Sequence, residues 1–228
     1  MAGWGEFALA MAVFLGSHAL TARPGLKAPL VARLGQAGFG LAYSLLSLAL
    51  LGWVIVAAGR APFVALWLLA PWQAGLALAM MLAACLLAAH AIAGVNPLSF
   101  GSRAAPFDPA QPGIAGVSRH PVLLALALWA FAHLIANGDL AHLLLFAPLG
   151  LFALIGMTAI DRRKRRTLAN WPVLARNTSL LPLASLVTGR WRPGLPPLVP
   201  TLAGLAAWAL LIWLHPAVIG ADPLVWWR

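Results

Sequence analysis

Long apolar stretches separated by short polar segments dominate the chain of 228 residues. A membrane-spanning helix needs about 20 predominantly apolar residues, and six stretches come near that length. They are Phe7 to Leu20, Phe39 to Ala58, Trp72 to Gly94, Val122 to Ala136, His142 to Ile160 and Leu198 to Leu214. The pattern predicts an all-α integral membrane protein, a helical bundle of about six transmembrane helices.

Two further apolar segments contain proline and are too short to cross a bilayer. Ala61 to Ala70 contains Pro62, and Ser179 to Val187 has Pro182 in its middle. We expect both segments to lie at the membrane interface. The first span has no Lys or Arg before it and begins beside Glu6, so it is predicted to remain attached rather than to act as a cleaved signal peptide.

Composition agrees with this class, because 62% of the residues are hydrophobic and 9% are charged. The single cysteine, Cys85, excludes an internal disulfide and any site built from several cysteines. The CxxCH motif of covalent haem attachment is absent as well.

Positive charge predicts how the chain is oriented, because loops rich in Lys and Arg stay in the cytoplasm. One set of alternate loops holds Arg23, Lys27, Arg33, Arg103, Arg119, the run Arg162 to Arg166, Arg176, Arg190 and Arg192. The opposite set holds only Arg60 and Arg228. Both termini are therefore predicted to face away from the cytoplasm. The net charge of +10 lies beside the spans, where it suits anionic membrane lipids rather than nucleic acid.

Among the six histidines, His18 and His133 fall inside apolar spans. An ionisable side chain is costly among lipid tails, so it indicates a functional site, most often a proton carrier or a metal ligand. Each is preceded four residues earlier by an aromatic residue on the same helical face, Phe14 and Trp129 respectively. This stripe suits a flat apolar ligand held at a metal, such as haem. Ordinary helix packing with a hydrogen-bonded histidine explains the spacing too.

His120 lies thirteen residues before His133, about 20 Å along a helix, so the two cannot bind one metal. Arg119 and His120 precede Pro121 at the predicted start of the fourth span. We expect them to form a cationic corner for a propionate, a phosphate or a lipid headgroup. The alternative is a plain helix start with a positive-inside arginine.

The remaining histidines are assigned simpler roles. His90 is predicted to be neutral and hydrogen-bonded to a neighbouring carbonyl. His142 follows a turn and His215 precedes Pro216 at a helix end, so both are predicted to be interfacial.

Four motifs together resemble the NnrU family, over nearly the whole chain up to about Gly189. They are Gly16-Ser17-His18-Ala19-Leu20, Tyr43-Ser44-Leu45-Leu46-Ser47, Gly116-Val117-Ser118-Arg119-His120-Pro121 followed by Trp129 and His133, and the segment from Asp161-Arg162-Arg163 to Arg176-Asn177-Thr178-Ser179. The resemblance implies one transmembrane domain over residues 1–228 in a bacterial inner membrane, its last helix at about 198–214.

Bacterial members of this family are associated with denitrification, namely nitrite and nitric oxide reduction, and plant zeta-carotene isomerase of the same family binds haem b through two histidines. The resemblance implies non-covalent haem b with His18 and His133 as its axial ligands. The iron would then bind nitric oxide or act on a polyene, and the sequence does not choose between them. His18 is predicted about 7 Å to the cytoplasmic side of mid-membrane and His133 about 7 Å to the other side. Because depth alone would pair His18 with His120 or His90 instead, His120 is kept as a substitute ligand.

Two other functional classes remain open. The Arg-His-Pro motif is similar to that of isoprenylcysteine-type methyltransferases, which hold S-adenosylmethionine with a downstream glutamate pair. Here the only glutamate is Glu6, and residues Asp161 to Asn177 contain no acidic pair. The third class is a non-enzymatic factor, either a transporter or an assembly partner of a nitric oxide or nitrite reductase.

Overall fold

A computed structural model describes residues 2–18, 20, 23–103 and 106–228 of the chain. Ala19, part of the first predicted span and of its motif, lies outside the described residues. The long helices are α1 (Ala2–Ser17), α2 (Pro24–Gly59), α3 (Pro71–Ala93), α5 (Pro121–Ala136), α6 (Leu140–Thr167) and α9 (Leu198–Ile219). The short helices are α4 (Ile114–Val117), α7 (Trp171–Ala175) and α8 (Ala184–Val187), with a 3-10 turn at Val225–Trp227.

Each predicted span corresponds to one long helix, although the predicted ends at Leu20 and Gly94 lie beyond the ends of α1 and α3. This correspondence confirms the helical membrane fold. Four of these helices, α2, α3, α6 and α9, are long and apolar enough to cross a membrane. The other two, α1 and α5, are shorter apolar helices.

The basic segment before the second span was predicted to be a loop, and this was wrong. It forms the first part of α2, which begins at Pro24 and includes Lys27 and Arg33. Proline suits the first turn of a helix because its missing N–H has no intrahelical partner there. The helix is interrupted at Gly35, whose φ of 71° and ψ of 168° are accessible to glycine without steric cost. A single glycine therefore separates the basic part from the apolar part.

The chain divides into two compact units. The first comprises Met1–Leu68 with Gly138–Leu145, and in it α1 packs against α2. The segment between α2 and α3 is not helical: the Leu66 N–H donates to the Gly138 carbonyl at 2.7 Å, and the Leu140 N–H donates to the Val64 carbonyl at 2.9 Å. These bonds tie the predicted interfacial segment to the beginning of α6.

The second unit comprises Leu69–Asn137 with Phe146–Arg228, and in it α3 packs against both α5 and α9. Gly204 of α9 lies where the two helices approach closely, since a Cβ atom there would lie 3.0 Å from the Leu86 Cα and 3.2 Å from the Cys85 carbonyl oxygen. One turn further on, the Trp208 indole N–H donates to the Leu78 carbonyl at 3.1 Å. The contact and the hydrogen bond together fix α9 against α3.

Candidate functional site

The Arg-His-Pro turn before α5 is buried. Arg119 is 6% exposed and His120 is 0% exposed. The Arg119 guanidinium donates from Nη1 to Asp161 Oδ1 at 2.5 Å and from Nε to Thr178 Oγ1 at 3.0 Å, and it lies 5.0 Å from the centre of the Trp171 ring. The turn thereby joins the basic end of α6 to the segment that follows α7.

His120 lies between a hydroxyl and a carboxylate in this junction. Its Nδ1 is 2.9 Å from Ser99 Oγ, and its Nε2 is 3.6 Å from Asp161 Oδ1. Burial lowers the pKa of His120 to about 4, although Asp161 acts in the opposite direction. The imidazole is therefore neutral at neutral pH, because a charged form would lose its hydration without full compensation.

Backbone groups of the same turn are also hydrogen-bonded. The Asn96 amide donates to the Arg119 carbonyl at 3.0 Å, and the Arg119 N–H donates to the Ser179 carbonyl at 2.8 Å. The predicted cationic corner is thus placed inside the protein, with its charge paired to Asp161. An anion bound there would have to share the guanidinium with that carboxylate.

A second candidate site is a cavity of about 360 Å³ in the second unit. Its walls come from α3, α5, α9 and the residues after α9, and they include His133, His215, Met81, Trp208, Leu211 and Trp226. Apart from the histidines, Asn137 and Asp222, the walls are apolar or aromatic. An apolar lining with a few polar groups is typical of sites for small organic ligands.

His133 contributes an oriented imidazole to this cavity. Its Nδ1 lies 2.8 Å from the Trp129 carbonyl oxygen. Because a carbonyl can only accept a hydrogen bond, Nδ1 is the donor. Its ring centre lies 5.3 Å from that of Trp129 and 5.0 Å from that of Phe146. The predicted pairing of Trp129 with His133 is present, whereas Phe146 was not anticipated because it comes from the next helix.

His215 lines the same cavity. Its ring centre is 6.3 Å from that of His133, with 26° between the ring planes, and its Nδ1 donates to the Ala221 carbonyl at 2.8 Å. The sequence placed His215 only at a helix end. The signal that was missed is the helical spacing of Trp208, Leu211 and His215, which puts all three on one face.

His18, in the first unit, repeats the arrangement of His133. Its Nδ1 donates to the Phe14 carbonyl at 2.9 Å, and its ring centre lies 4.9 Å from that of Phe14 and 5.9 Å from that of Tyr43. Phe14 itself is buried. The predicted contact of His18 with the aromatic residue four positions earlier is present.

The remaining histidines, His90 and His142, have polar partners. The Nε2 of His90 is 3.1 Å from Thr201 Oγ1. That hydroxyl donates its only hydrogen to the Pro197 carbonyl, so it accepts from the imidazole. His90 is therefore bonded to a hydroxyl rather than to the predicted carbonyl. His142 Nδ1 lies 2.6 Å from Asp139 Oδ2.

Comparison with known proteins identifies the family. No curated protein and no solved structure gives a significant match to the chain. The NnrU family, described as NnrU protein, matches residues 6–223. This range contains the buried junction, the cavity histidines and His18. The chain belongs to the NnrU family.

Proposed function

We propose that this NnrU family protein binds haem b non-covalently in the membrane and acts in nitric oxide or nitrite metabolism. His133 supplies one axial ligand, and the family resemblance names His18 for the second. The observation that carries the proposal is the shared orientation of these two imidazoles.

At both positions Nδ1 donates to the carbonyl of the aromatic residue four positions earlier. A neutral imidazole with its proton on Nδ1 has its lone pair on Nε2, the atom that binds a metal. Histidine ligands of metals usually donate their other N–H to a carbonyl or carboxylate, which fixes both tautomer and ring orientation. In this protein the Phe14 and Trp129 carbonyls accept these hydrogen bonds from His18 and His133.

The donor set suits haem better than a bare metal ion. In the described part of the chain, no group of three or more His, Cys, Asp or Glu side chains is placed to hold a metal ion. A porphyrin supplies four nitrogen ligands to its iron, so the protein needs to supply only one or two more. The mostly apolar cavity walls around His133 would offer the macrocycle apolar contacts.

When bound, a haem iron with a displaceable axial ligand supplies a position for nitric oxide. The role of the chain is to orient the imidazoles through backbone carbonyls and to keep the iron in an apolar environment, since burial and ligand identity set its redox potential. The same cofactor would serve a polyene isomerase. Methyl transfer is disfavoured, because Asp161, the acidic residue of the relevant segment, accepts hydrogen bonds from both Arg119 and Arg165.

The test is the absorption spectrum of the purified full-length protein, expressed with ample haem precursor. We expect a haem b spectrum that is six-coordinate and low-spin when oxidised and that shifts when nitric oxide is added. His133→Ala should lose most of the haem, whereas His142→Ala, whose imidazole faces Asp139, should retain it. Colourless wild-type protein would contradict the proposal and favour an assembly factor.

A further inference from the structure

We propose that a further cavity of the second unit binds the headgroup of an ethanolamine phospholipid. This cavity has a volume of about 440 Å³. Its walls come from the end of α3, from the segment before α4 and from the beginning of α9. The proposal does not depend on haem, because the residues that line this cavity are distinct from those that line the cavity at His133.

The first argument is the hydrogen bonding of His90, which lines this cavity. The Thr201 hydroxyl donates its hydrogen to the Pro197 carbonyl at 2.8 Å, so it accepts from His90 Nε2 at 3.1 Å. A neutral imidazole with its proton on Nε2 has its lone pair on Nδ1, which can then only accept. No described residue donates a hydrogen bond to that nitrogen. His90 therefore offers the cavity a hydrogen-bond acceptor.

The second argument is the charge of Asp108, which lines the same cavity. Its Oδ1 accepts from the Ala110 N–H at 2.8 Å, but no basic side chain in the described ranges lies within ion-pair distance. Asp161, the other acidic residue on the side predicted to be cytoplasmic, accepts hydrogen bonds from Arg119 and Arg165. Asp108 is thus a carboxylate on a basic side that suits a cation from outside the chain.

A primary ammonium group matches both of these acceptors. Its N–H groups can donate to the Asp108 carboxylate and to His90 Nδ1, and its positive charge compensates the carboxylate. The trimethylammonium group of choline lipids has the same charge but no N–H to donate. Phosphatidylserine contains a primary ammonium group as well, but its additional carboxylate would be repelled by Asp108. The acceptors therefore favour an ethanolamine headgroup.

Arg103 is placed to contact the phosphate of that headgroup. Its Nη2 donates to the Ala93 carbonyl at 3.0 Å, and Ala93 lines the cavity, so the guanidinium lies beside the end of α3. A guanidinium binds phosphate oxygens through parallel hydrogen bonds. Because Arg103 and Asp108 are not paired with each other, a headgroup with one positive and one negative charge can contact both.

Exposed apolar side chains beside the cavity offer a surface for the acyl chains. Ile92 precedes the cavity residue Ala93 and is 67% exposed. Val199 lies between the cavity residues Pro197 and Pro200 and is 78% exposed. Both belong to helices that are long and apolar enough to cross a membrane. This location favours a lipid over a soluble amine.

The experiment measures lipid binding to the full-length protein in detergent by native mass spectrometry. The probes are phosphatidylethanolamine, phosphatidylcholine and phosphatidylglycerol with identical acyl chains. We expect one site that prefers phosphatidylethanolamine to phosphatidylcholine. Asp108→Asn should weaken phosphatidylethanolamine binding about tenfold, as expected for the loss of one charged hydrogen bond, whereas Asp108→Glu should retain most of the affinity. Arg163→Gln, outside the cavity, is the control and should keep the preference.

Phosphatidylglycerol separates this site from general attraction of lipids to basic residues. Asp108→Asn makes the basic side more positive, so binding of an anionic lipid through charge alone should be kept or strengthened. Loss of phosphatidylethanolamine binding with retained phosphatidylglycerol binding would therefore support the proposal.

Three results would overturn the proposal. They are equal affinities for phosphatidylethanolamine and phosphatidylcholine, wild-type affinity in Asp108→Asn, and binding of free phosphoethanolamine as tight as that of the lipid. The last result would make the ligand a soluble amine rather than a lipid. Size-exclusion elution reports whether each variant is folded, which is expected because Asp108 is exposed.

Discussion

At the scale of single residues, the Arg-His-Pro turn shows how a buried charge is tolerated beside a membrane helix. Removing one partner of a buried ion pair leaves an uncompensated charge, which is strongly destabilising. Asp161 compensates Arg119 directly, and Trp171 lies under the guanidinium. His120 lies in the same environment without a charge, because burial lowers its pKa.

The protonation state of His120 predicts a pH dependence of stability. Its pKa is about 4 in the folded protein against an ordinary value of 6.5, so between these values the unfolded chain binds a proton that the folded chain excludes. The stability contributed by neutral His120 is complete above pH 6.5 and is lost as the pH falls to about 4. The loss amounts to about 3 kcal/mol.

Thermal unfolding of the purified protein in detergent, followed at pH steps between about 7.5 and 4, measures this effect. His120→Gln cannot titrate and should show a flatter pH profile than the wild type. His142→Gln is the matched control and should keep the wild-type slope. Parallel profiles for wild type and His120→Gln would show that His120 does not titrate in this range.

At the scale of elements, apolar length predicted the long helices well, and Pro121 was correctly predicted to begin one of them. Each span between residues 7 and 214 corresponds to one helix, and a predicted end lies at most about three residues beyond the end of its helix. Pro24, Pro71 and Pro121 each occupy the first turn of a helix. The helical basic segment was missed because charged and alanine residues form helices as readily as apolar ones. The end of this segment is marked by Gly35, where the helix is interrupted.

The candidate site was predictable only where its contacts are local. Phe14 with His18 and Trp129 with His133 are four residues apart and follow from helix geometry. The pairing of Arg119 with Asp161 and the approach of His215 to His133 join distant parts of the chain. Such contacts depend on which helices pack together, and this was not deducible from a single sequence.

The packing of α9 on α3 predicts opposite effects for two glycine-to-alanine changes. At Gly204 the added Cβ would lie 3.0 Å from the Leu86 Cα, so the helices must separate, at a cost of about 1–3 kcal/mol that exceeds the helix-propensity gain. At Gly52 of α2 nothing lies within 4 Å of the added atom, so alanine should stabilise by about 0.5–1 kcal/mol.

Melting temperatures of Gly204→Ala and Gly52→Ala in one detergent provide the comparison. We expect the first to fall and the second to stay level or rise. Equal melting temperatures for the two variants would contradict close packing at Gly204.

At the scale of the whole molecule, the distribution of charge predicts the orientation in the membrane. The side predicted to face away from the cytoplasm holds two basic residues, and each forms an ion pair with an acidic residue of the same side. Arg60 Nη1 lies 3.2 Å from Glu6 Oε1, and Arg228 Nη1 lies 3.0 Å from Asp222 Oδ2. The run Arg162 to Arg166, by contrast, has Asp161 as its only acidic neighbour in α6.

This asymmetry predicts that the C-terminus after α9 is exported while the loop between α6 and α7 is cytoplasmic, because basic loops resist translocation. Alkaline phosphatase fused after Arg228 should therefore be active and green fluorescent protein fused there should be dark. Fusions truncated at Asn170, directly after the basic run, should give the reverse pattern and serve as the internal control. A fluorescent C-terminal fusion combined with an inactive phosphatase would require the opposite orientation. It would also place the end of α9 that carries His215 on the cytoplasmic side of the bilayer.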